Sequence, residues 1–311
     1  DWLEDAGHER GAGFGLVVVP RRAKPRAVSQ PPDGGWRVAT PTAAPWQVSL
    51  RGDWSERMVS GDVTTLALVS RAEIETTNDV NVVGVLPGAG TESNPELASE
   101  IVVLSAHRDH IGLRTRGVKE GADVINNGAD DDASGCAAIL EIVEALAQGT
   151  RPARTTVVLF VTGEEKAFMG STYWTKNPTH AIERVVCALN FEMLGRPDDI
   201  VGGAGNVWLT GDERSSLGPG LRDRGVNVHA DARPEGNFFK RSDNVPFAKA
   251  GIVAQTLSTY GMHGDYHQVT DEWETLDYDH METATGVCLE VVRSLVAGDW
   301  TPAWNDGEPR F

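Results

Sequence analysis

The chain has 311 residues, which is enough for one large domain, or one domain with a small satellite, and for a substantial core. Its formal net charge of -17 argues against nucleic acid or an anionic membrane as a partner, and no apolar run approaches the roughly 18 residues of a membrane-spanning helix. The chain begins at Asp1 without a methionine or an apolar leader, so we expect it to be processed or truncated. The 3 cysteines fit neither a disulfide framework nor a zinc finger, and we expect buried free thiols.

The N-terminal segment, residues 1–76, differs in character from the rest of the chain. Short β-rich runs alternate there with stretches that contain proline and glycine. This pattern is typical of a small β-rich subdomain or a wrapping arm and not of a βαβ unit. No cluster of titratable groups in this segment predicts chemistry.

Residues 77–300 show an alternation of apolar strands and helices. The predicted strands are 80–86, 101–106, 156–162, 185–192 and 252–257, and the predicted helices are 133–148 and 279–297. The first helix is supported by an apolar stripe at offsets 0, 3, 4 and 7 from Ile139. The alternation predicts a three-layer α/β/α sandwich with a mostly parallel mixed central sheet, followed by a C-terminal tail, residues 301–311.

Histidine and carboxylate residues occur where these strands end, which is the edge at which open α/β sheets bind ligands. His107 and Asp109 follow the second strand and share one face of the extended chain. The other strand ends carry Glu164, Glu165, Glu192 and, in a glycine-rich loop, Tyr266 and His267.

Three adjacent carboxylates, residues 130–132, stand directly before the first helix. Adjacent carboxylates repel each other, and a divalent metal would compensate their charge better than a helix start alone. A plain N-cap, with the remaining carboxylates in water, is the alternative. Imidazole and carboxylate together form the ligand set of zinc, although cobalt or manganese can occupy similar sites. So many ligands around one aspartate suit two metals roughly 3.5–4 Å apart.

The same residues form a series of motifs that resembles the M28 family of zinc aminopeptidases. The motifs are His107-x-Asp109, Gly128-Ala-Asp-Asp-Asp-Ala-Ser-Gly135, Glu164-Glu165, Asn190-Phe-Glu192-Met and Asp265-Tyr-His267. The resemblance covers about residues 78–296, and the motifs occur in the family's order. It implies a dinuclear zinc exopeptidase that acts on a peptide or a small amide.

The resemblance also assigns roles to individual residues. Asp131 would bridge two zinc ions, with a cis peptide bond after it. His107 and Glu192 would bind one ion, and Glu165 and His267 the other. Glu164 would be the general base, Asp109 would orient His107, and Tyr266 would donate to the developing oxyanion. Phe238, Phe239 and Tyr266 would contact the substrate, with core packing as the alternative for the two phenylalanines and loop packing for Tyr266.

Two positions depart from the family pattern. Glu192 stands where many of the aminopeptidases have aspartate, and the wider clan has glutamate there in carboxypeptidases. Asn244 stands where the family usually has histidine. A carboxypeptidase, a glutaminyl-cyclase-like acyltransferase and an inactive binding module therefore remain alternatives to the aminopeptidase. Secretion or a periplasmic location is a further expectation from the resemblance, and the oligomeric state cannot be predicted.

Overall fold

A seven-stranded sheet organises the part of the chain that the computed structural model describes, residues 78–115, 117–307 and 309. Its strands are β1 Val82–Leu86, β2 Ile101–His107, β5 Thr155–Val161, β6 Val185–Glu192, β7 Val207–Leu209, β8 Val228–Ala230 and β9 Ala254–Ser258. The short strands β3 Gly112–Leu113 and β4 Ile125–Asn126 form a separate antiparallel pair. The predicted segment 1–76 lies outside the described residues.

The strand order is β1-β5-β2-β6-β9-β7-β8. The central strands β5, β2, β6 and β9 run parallel, whereas β1 is antiparallel to β5 and β7 is antiparallel to β9. A mostly parallel mixed sheet is therefore confirmed. Because parallel strands share one direction, the residues that follow β2, β5, β6 and β9 meet at one edge of the sheet.

Helices cover the sheet. They are α1 Gly135–Gln148, α2 Met169–Lys176, α3 Leu217–Asp223, α4 Asn244–Lys249 and α5 Tyr278–Val296. α1 packs against α5 and against β2 and β6, whereas α2 packs against α4, which covers β6 and β9. Every residue of β2 is buried, as expected for a strand covered on both faces. The three-layer α/β/α arrangement is confirmed.

The first helix begins later than its apolar pattern predicts. Residues 129–134 form an irregular turn in which Asp131 and Asp132 have non-helical dihedral angles, and the peptide bond between them is cis. Regular helix starts only at Gly135. The strands β7 and β8 were not predicted, because three residues are too short to show a period.

The C-terminal segment packs onto the sheet and helices. Trp304 is buried and forms an isolated β-bridge with Ser215, and its indole N–H donates to the backbone oxygen of Gly251 at 3.1 Å. Among the described residues no helix is long and apolar enough to cross a membrane. Cys187 and Cys288 are buried free thiols, and burial raises the pKa of each to about 12.

Candidate metal centre and active site

Asp131 lies at the centre of the edge where the strands end. Its Oδ1 is 3.0 Å from Nε2 of His107, the last residue of β2. Its Oδ2 is 3.2 Å from Nε2 of His267 in the loop after β9. The two carboxylate oxygens therefore face two different histidines. The irregular turn before α1 makes this possible, because it carries the Asp131 carboxylate to the strand ends instead of along a helix.

Each histidine also meets a glutamate. Nε2 of His107 is 3.8 Å from Oε1 of Glu192, and Nε2 of His267 is 3.2 Å from Oε1 of Glu165. The other oxygen of Glu192 accepts hydrogen bonds from Ser242 Oγ and from Asn190 Nδ2. The five residues predicted as metal ligands are thus brought together in two groups that share Asp131.

Several of these atoms make close contacts that are not hydrogen bonds. His107 Nε2 and Glu165 Oε1 are buried and have no hydrogen-bond partner, although each lies near an oppositely charged group. Unpartnered buried polar atoms are rare in folded proteins. The lone pairs of these nitrogen and oxygen atoms point toward one another without forming hydrogen bonds, an arrangement that suits coordination of a shared cation. The chemistry of the donor atoms, imidazole nitrogen and carboxylate oxygen, fits zinc.

His110 joins this cluster, although its sequence position alone did not single it out. Its Nδ1 is 3.0 Å from Oε1 of Glu165 and 3.8 Å from Oδ2 of Asp131, and its side chain is 7% exposed. Both ring nitrogens lack hydrogen-bond partners. The atoms of His110, Asp131 and Glu165 are close enough together to hold a metal ion. The available signal was its place in the chain, one residue beyond Asp109.

The backbone leaves room for His110 only because residue 128 is glycine. A Cβ at Gly128 would lie 2.7 Å from Cγ of His110 and 2.2 Å from the backbone oxygen of Asp131. Gly128 also has a φ of +66°, a conformation that glycine adopts without strain.

We expect His110→Ala to weaken binding of one metal ion by at least about 10- to 100-fold, the effect of losing a group that supports a metal ligand. Zinc titration by calorimetry, with cobalt absorption spectra as a second readout, measures this. His180→Ala is the matched control, since His180 precedes β6 at the opposite end of that strand. Unchanged metal affinity in His110→Ala would show that His110 only fills space.

Asp109 contacts its neighbours through two different groups, its backbone carbonyl and its side-chain carboxylate. Its backbone oxygen is 2.9 Å from Nδ1 of His107, whereas its carboxylate is 3.8 Å from that nitrogen. A carbonyl oxygen can only accept, so Nδ1 carries the proton and Nε2 is left with a lone pair for a metal. The Asp109 carboxylate instead accepts the backbone N–H of Glu164 at 3.2 Å. The Asp109 group that contacts Nδ1 of His107 is thus the carbonyl and not the carboxylate, because the chain turns immediately after β2.

A buried ion pair holds the turn that carries Asp131. The carboxylate of Asp271 is fully buried and accepts the backbone N–H groups of Asp130 and Asp131 at 3.0 and 3.1 Å. Arg196 donates to the same carboxylate at 3.1 Å and to Asp265 at 2.5 Å. The sequence did not predict Arg196. Its guanidinium connects the loop of His267 to the turn of Asp131, which fixes their relative position.

The electrostatics of the cluster favour a bound cation. Burial, together with the negative charge of Glu192, raises the pKa of Glu164 to about 11. Burial alone would also raise the pKa of Glu165, but the imidazoles of His110 and His267 hold it at about 2. Carboxylates so close together stay ionised only beside positive charge, and divalent ions supply more of it than imidazolium does.

Tyr266 lies between the ligands and a neighbouring pocket. Its ring stacks on His267 with the centroids 3.9 Å apart, and burial raises the pKa of its hydroxyl. The hydroxyl therefore remains a hydrogen-bond donor at neutral pH. His267 itself has a φ of +57°, an uncommon backbone conformation of the kind that clusters at functional sites.

The assignment of Phe239 to the substrate pocket is corrected by the structure. Phe239 is buried in the main core and packs edge-on against Trp304, whereas its neighbour Phe238 lines the pocket. The two residues share one 3-10 turn, in which consecutive side chains point in different directions. Asn244 also has a structural role, since its side chain donates to the backbone oxygen of Phe239 at 2.9 Å.

Comparison with known proteins identifies the family. The sequence model of peptidase family M28 matches residues 81–292. The chain belongs to peptidase family M28.

Solved structures with the same fold include two bacterial aminopeptidases and a cyclase. An aminopeptidase from Aneurinibacillus sp. strain AM-1 is 20% identical with a TM-score of 0.51, covering 68% of this chain and 47% of its own. The zinc aminopeptidase BSAP from Bacillus subtilis is 18% identical with a TM-score of 0.54, covering 71% and 51%. Glutaminyl cyclase from Porphyromonas gingivalis is 18% identical with a TM-score of 0.52, covering 70% and 77%.

At these identities the likeness establishes the fold of this M28 peptidase and not its substrate. The chain also spans only about half the length of the two aminopeptidases. The residues of its own site, and not the likeness to these structures, therefore indicate what substrate it takes.

Proposed function

We propose that this M28 peptidase is a dinuclear zinc exopeptidase that removes residues from the N-terminus of peptides. The observation that carries the proposal is the position of Asp131, whose two oxygens face His107 and His267 at 3.0 and 3.2 Å. One carboxylate shared by two sets of ligands suits two metal ions held close together, as in two-metal hydrolases. The ligands would be His107, Asp131 and Glu192 for one ion, and Asp131, Glu165 and His267, joined by His110, for the other.

The proposed reaction is hydrolysis of a peptide bond. Bound zinc would acidify the attacking water and polarise the scissile carbonyl. All other steps are assigned to side chains of this chain.

Glu164 is the proposed proton carrier. It belongs to neither group of metal ligands, and it stands beside Glu165 with its backbone N–H held by Asp109. Its carboxylate is placed to take the proton of the attacking water and to deliver it to the leaving amine.

Tyr266 is the proposed donor to the oxyanion. Stacking on His267 fixes its ring next to the ligands, and its raised pKa keeps the hydroxyl proton in place. A preorganised donor at the position where negative charge develops stabilises the transition state.

The acidic surroundings support a substrate with a free ammonium group. Glu192 lines the pocket and lies close enough for its charge to act on Glu164, and the chain carries a net charge of -17. A carboxypeptidase is the second candidate. Arg241, a cation in the pocket lining, is the observation that favours it, because it could bind a C-terminal carboxylate.

Hydrolysis of a panel of amino-acid nitroanilides tests the proposal. We expect zinc-dependent release from substrates with a free amine and none from their N-acetylated counterparts, because blocking the amine removes the charge that the acidic site attracts. Metal-free protein, measured before and after zinc is added back, is the control. Release of C-terminal residues from blocked peptides, without release from free-amine substrates, would support the carboxypeptidase instead.

A further inference from the structure

A small pocket, with a cavity volume of about 40 Å³, lies beside Glu192 and Tyr266. Its apolar lining includes Met193, Trp208 and Phe238, which form a small buried cluster separate from the main core. The rings of Trp208 and Phe238 lie 5.3 Å apart between centroids. Aromatic walls of this kind give a substrate side chain an apolar surface to pack against, while Arg241 at the rim is exposed.

Arg241 lines the same pocket and has no carboxylate partner among the described residues. Its guanidinium carbon lies 4.9 Å from the centroid of the Phe238 ring, which holds the side chain against the pocket wall. Stacking on a ring face leaves the N–H groups at the edge of the guanidinium available.

Several other arginines of this acidic protein pair with carboxylates. Arg233 binds Asp198 through two N–H groups at 2.6 and 2.7 Å, and Arg222 binds Asp212 in the same way at 2.9 Å. With 45 aspartates and glutamates against 28 lysines and arginines, carboxylate partners are abundant in the chain. Arg241 is stacked on an aromatic ring of the pocket instead.

A second donor lies near the Arg241 guanidinium. Tyr260 lines the pocket, packs edge-on against Phe238 and lies close enough for the charge of Arg241 to act on its hydroxyl. That hydroxyl has no hydrogen-bond partner within the described part of the chain. Arg241 and Tyr260 thus present N–H and O–H groups to one small space, without an acceptor from the described residues to receive them.

We propose that Arg241 and Tyr260 bind a carboxylate of the substrate, so that substrates with a carboxylate at this pocket are preferred over their amides. The proposal rests on the proposed function, since it names the substrate class of the same site. Two sources of carboxylate fit this chemistry. One is the side chain of an N-terminal aspartate or glutamate, and the other is the C-terminus of a short peptide. In both cases two N–H groups of the guanidinium would donate to the two carboxylate oxygens, which gives a bidentate, charge-assisted pair.

Binding can be measured without turnover by using zinc-loaded Glu164→Gln protein in a calorimeter. Glutamic acid α-amide is compared with glutaminamide, which has the same shape and no side-chain charge. Leucyl-glycine is compared with leucyl-glycinamide, which lacks the terminal carboxylate. We expect the acidic member of one pair to bind about 10- to 100-fold more tightly, the range for hydrogen bonds to charged groups. Whichever pair shows the preference identifies the source of the carboxylate.

Substitution at residue 241 connects the preference to this residue. In the Glu164→Gln protein, the additional substitution Arg241→Gln should abolish the difference in affinity within the pair. Arg241→Lys should keep part of that difference. Lys240→Gln removes the same charge from the exposed neighbouring residue and should keep all of it. The proposal is overturned if neither pair shows a difference, or if the difference persists in Arg241→Gln.

The turnover panel separates this inference from the proposed function. If wild-type protein releases free-amine residues with no preference for acidic substrates, and the binding pairs show no difference, the proposed function stands and the carboxylate site fails. If no free-amine substrate is hydrolysed but the binding preference depends on Arg241, the carboxylate site stands and the proposed exopeptidase fails.

Discussion

Replacing Glu164 by glutamine is expected to lower kcat by about 10²- to 10⁴-fold, the range that a positioned general acid or base contributes. The amide has nearly the same shape as the carboxyl but cannot accept the proton of water. Because Glu164 belongs to neither group of metal ligands, metal content should be unchanged. The measurement is kcat on the best nitroanilide substrate together with metal analysis of the same sample.

The same variant is expected to be more stable than the wild-type protein although it is less active. The folded metal-free protein holds the Glu164 proton up to a pKa of about 11, whereas the ordinary value is 4.5. Ionisation of this group therefore destabilises the fold as the pH rises from 4.5 through that range. Glu164→Gln should raise the Tm of the metal-free protein at pH 7 and leave it unchanged below about pH 4.

Glu183→Gln, at an exposed glutamate ahead of β6, is the control and should change neither kcat nor Tm. A Glu164→Gln variant that keeps nearly wild-type kcat would show that another group takes the proton. Lower activity with loss of metal would instead make Glu164 a ligand.

Replacing Asp131 by alanine is expected to have the larger effect on metal. Both oxygens of Asp131 face histidine ligands, so the substitution removes a ligand from both groups at once. We expect the affinity of each group for zinc to fall by more than the roughly 10- to 100-fold that accompanies loss of a supporting group. Activity at limiting zinc should fall with it, and added zinc should no longer raise the Tm.

Asp130→Asn is the matched control for this substitution. Asp130 is also fully buried, but it accepts the backbone N–H of Gly195 at 2.7 Å and contacts His263 at 2.9 Å, away from the metal ligands. The Asp130→Asn variant should bind zinc at both groups of ligands with unchanged affinity. If Asp131→Ala keeps zinc affinity and stoichiometry, the shared carboxylate does not bridge two ions and the dinuclear proposal is wrong.

The sequence determined the sheet and the polar ends of its strands. β5 is a run of β-branched and apolar residues, and Glu164 and Glu165 follow it two residues later, an order that requires no tertiary information. Burial on both faces makes such strands apolar throughout, and the shared direction of parallel strands places the residues after them at one edge. The ligands adjacent to strands and the fold class were therefore predictable from local pattern.

Tertiary structure alone decided which side chains turn toward that edge and which contacts hold them there. Nothing local shows that His110 faces Glu165, or that Phe238 lines the pocket while Phe239 enters the core. Such choices depend on backbone dihedral angles in turns, where side-chain direction has no fixed period. The pairing of Arg196 with Asp271 joins residues 75 positions apart, and sequence periodicity cannot report a contact across that distance. The order of motifs belongs to the sequence, whereas the cluster they form, and the pocket beside it, exist only after folding.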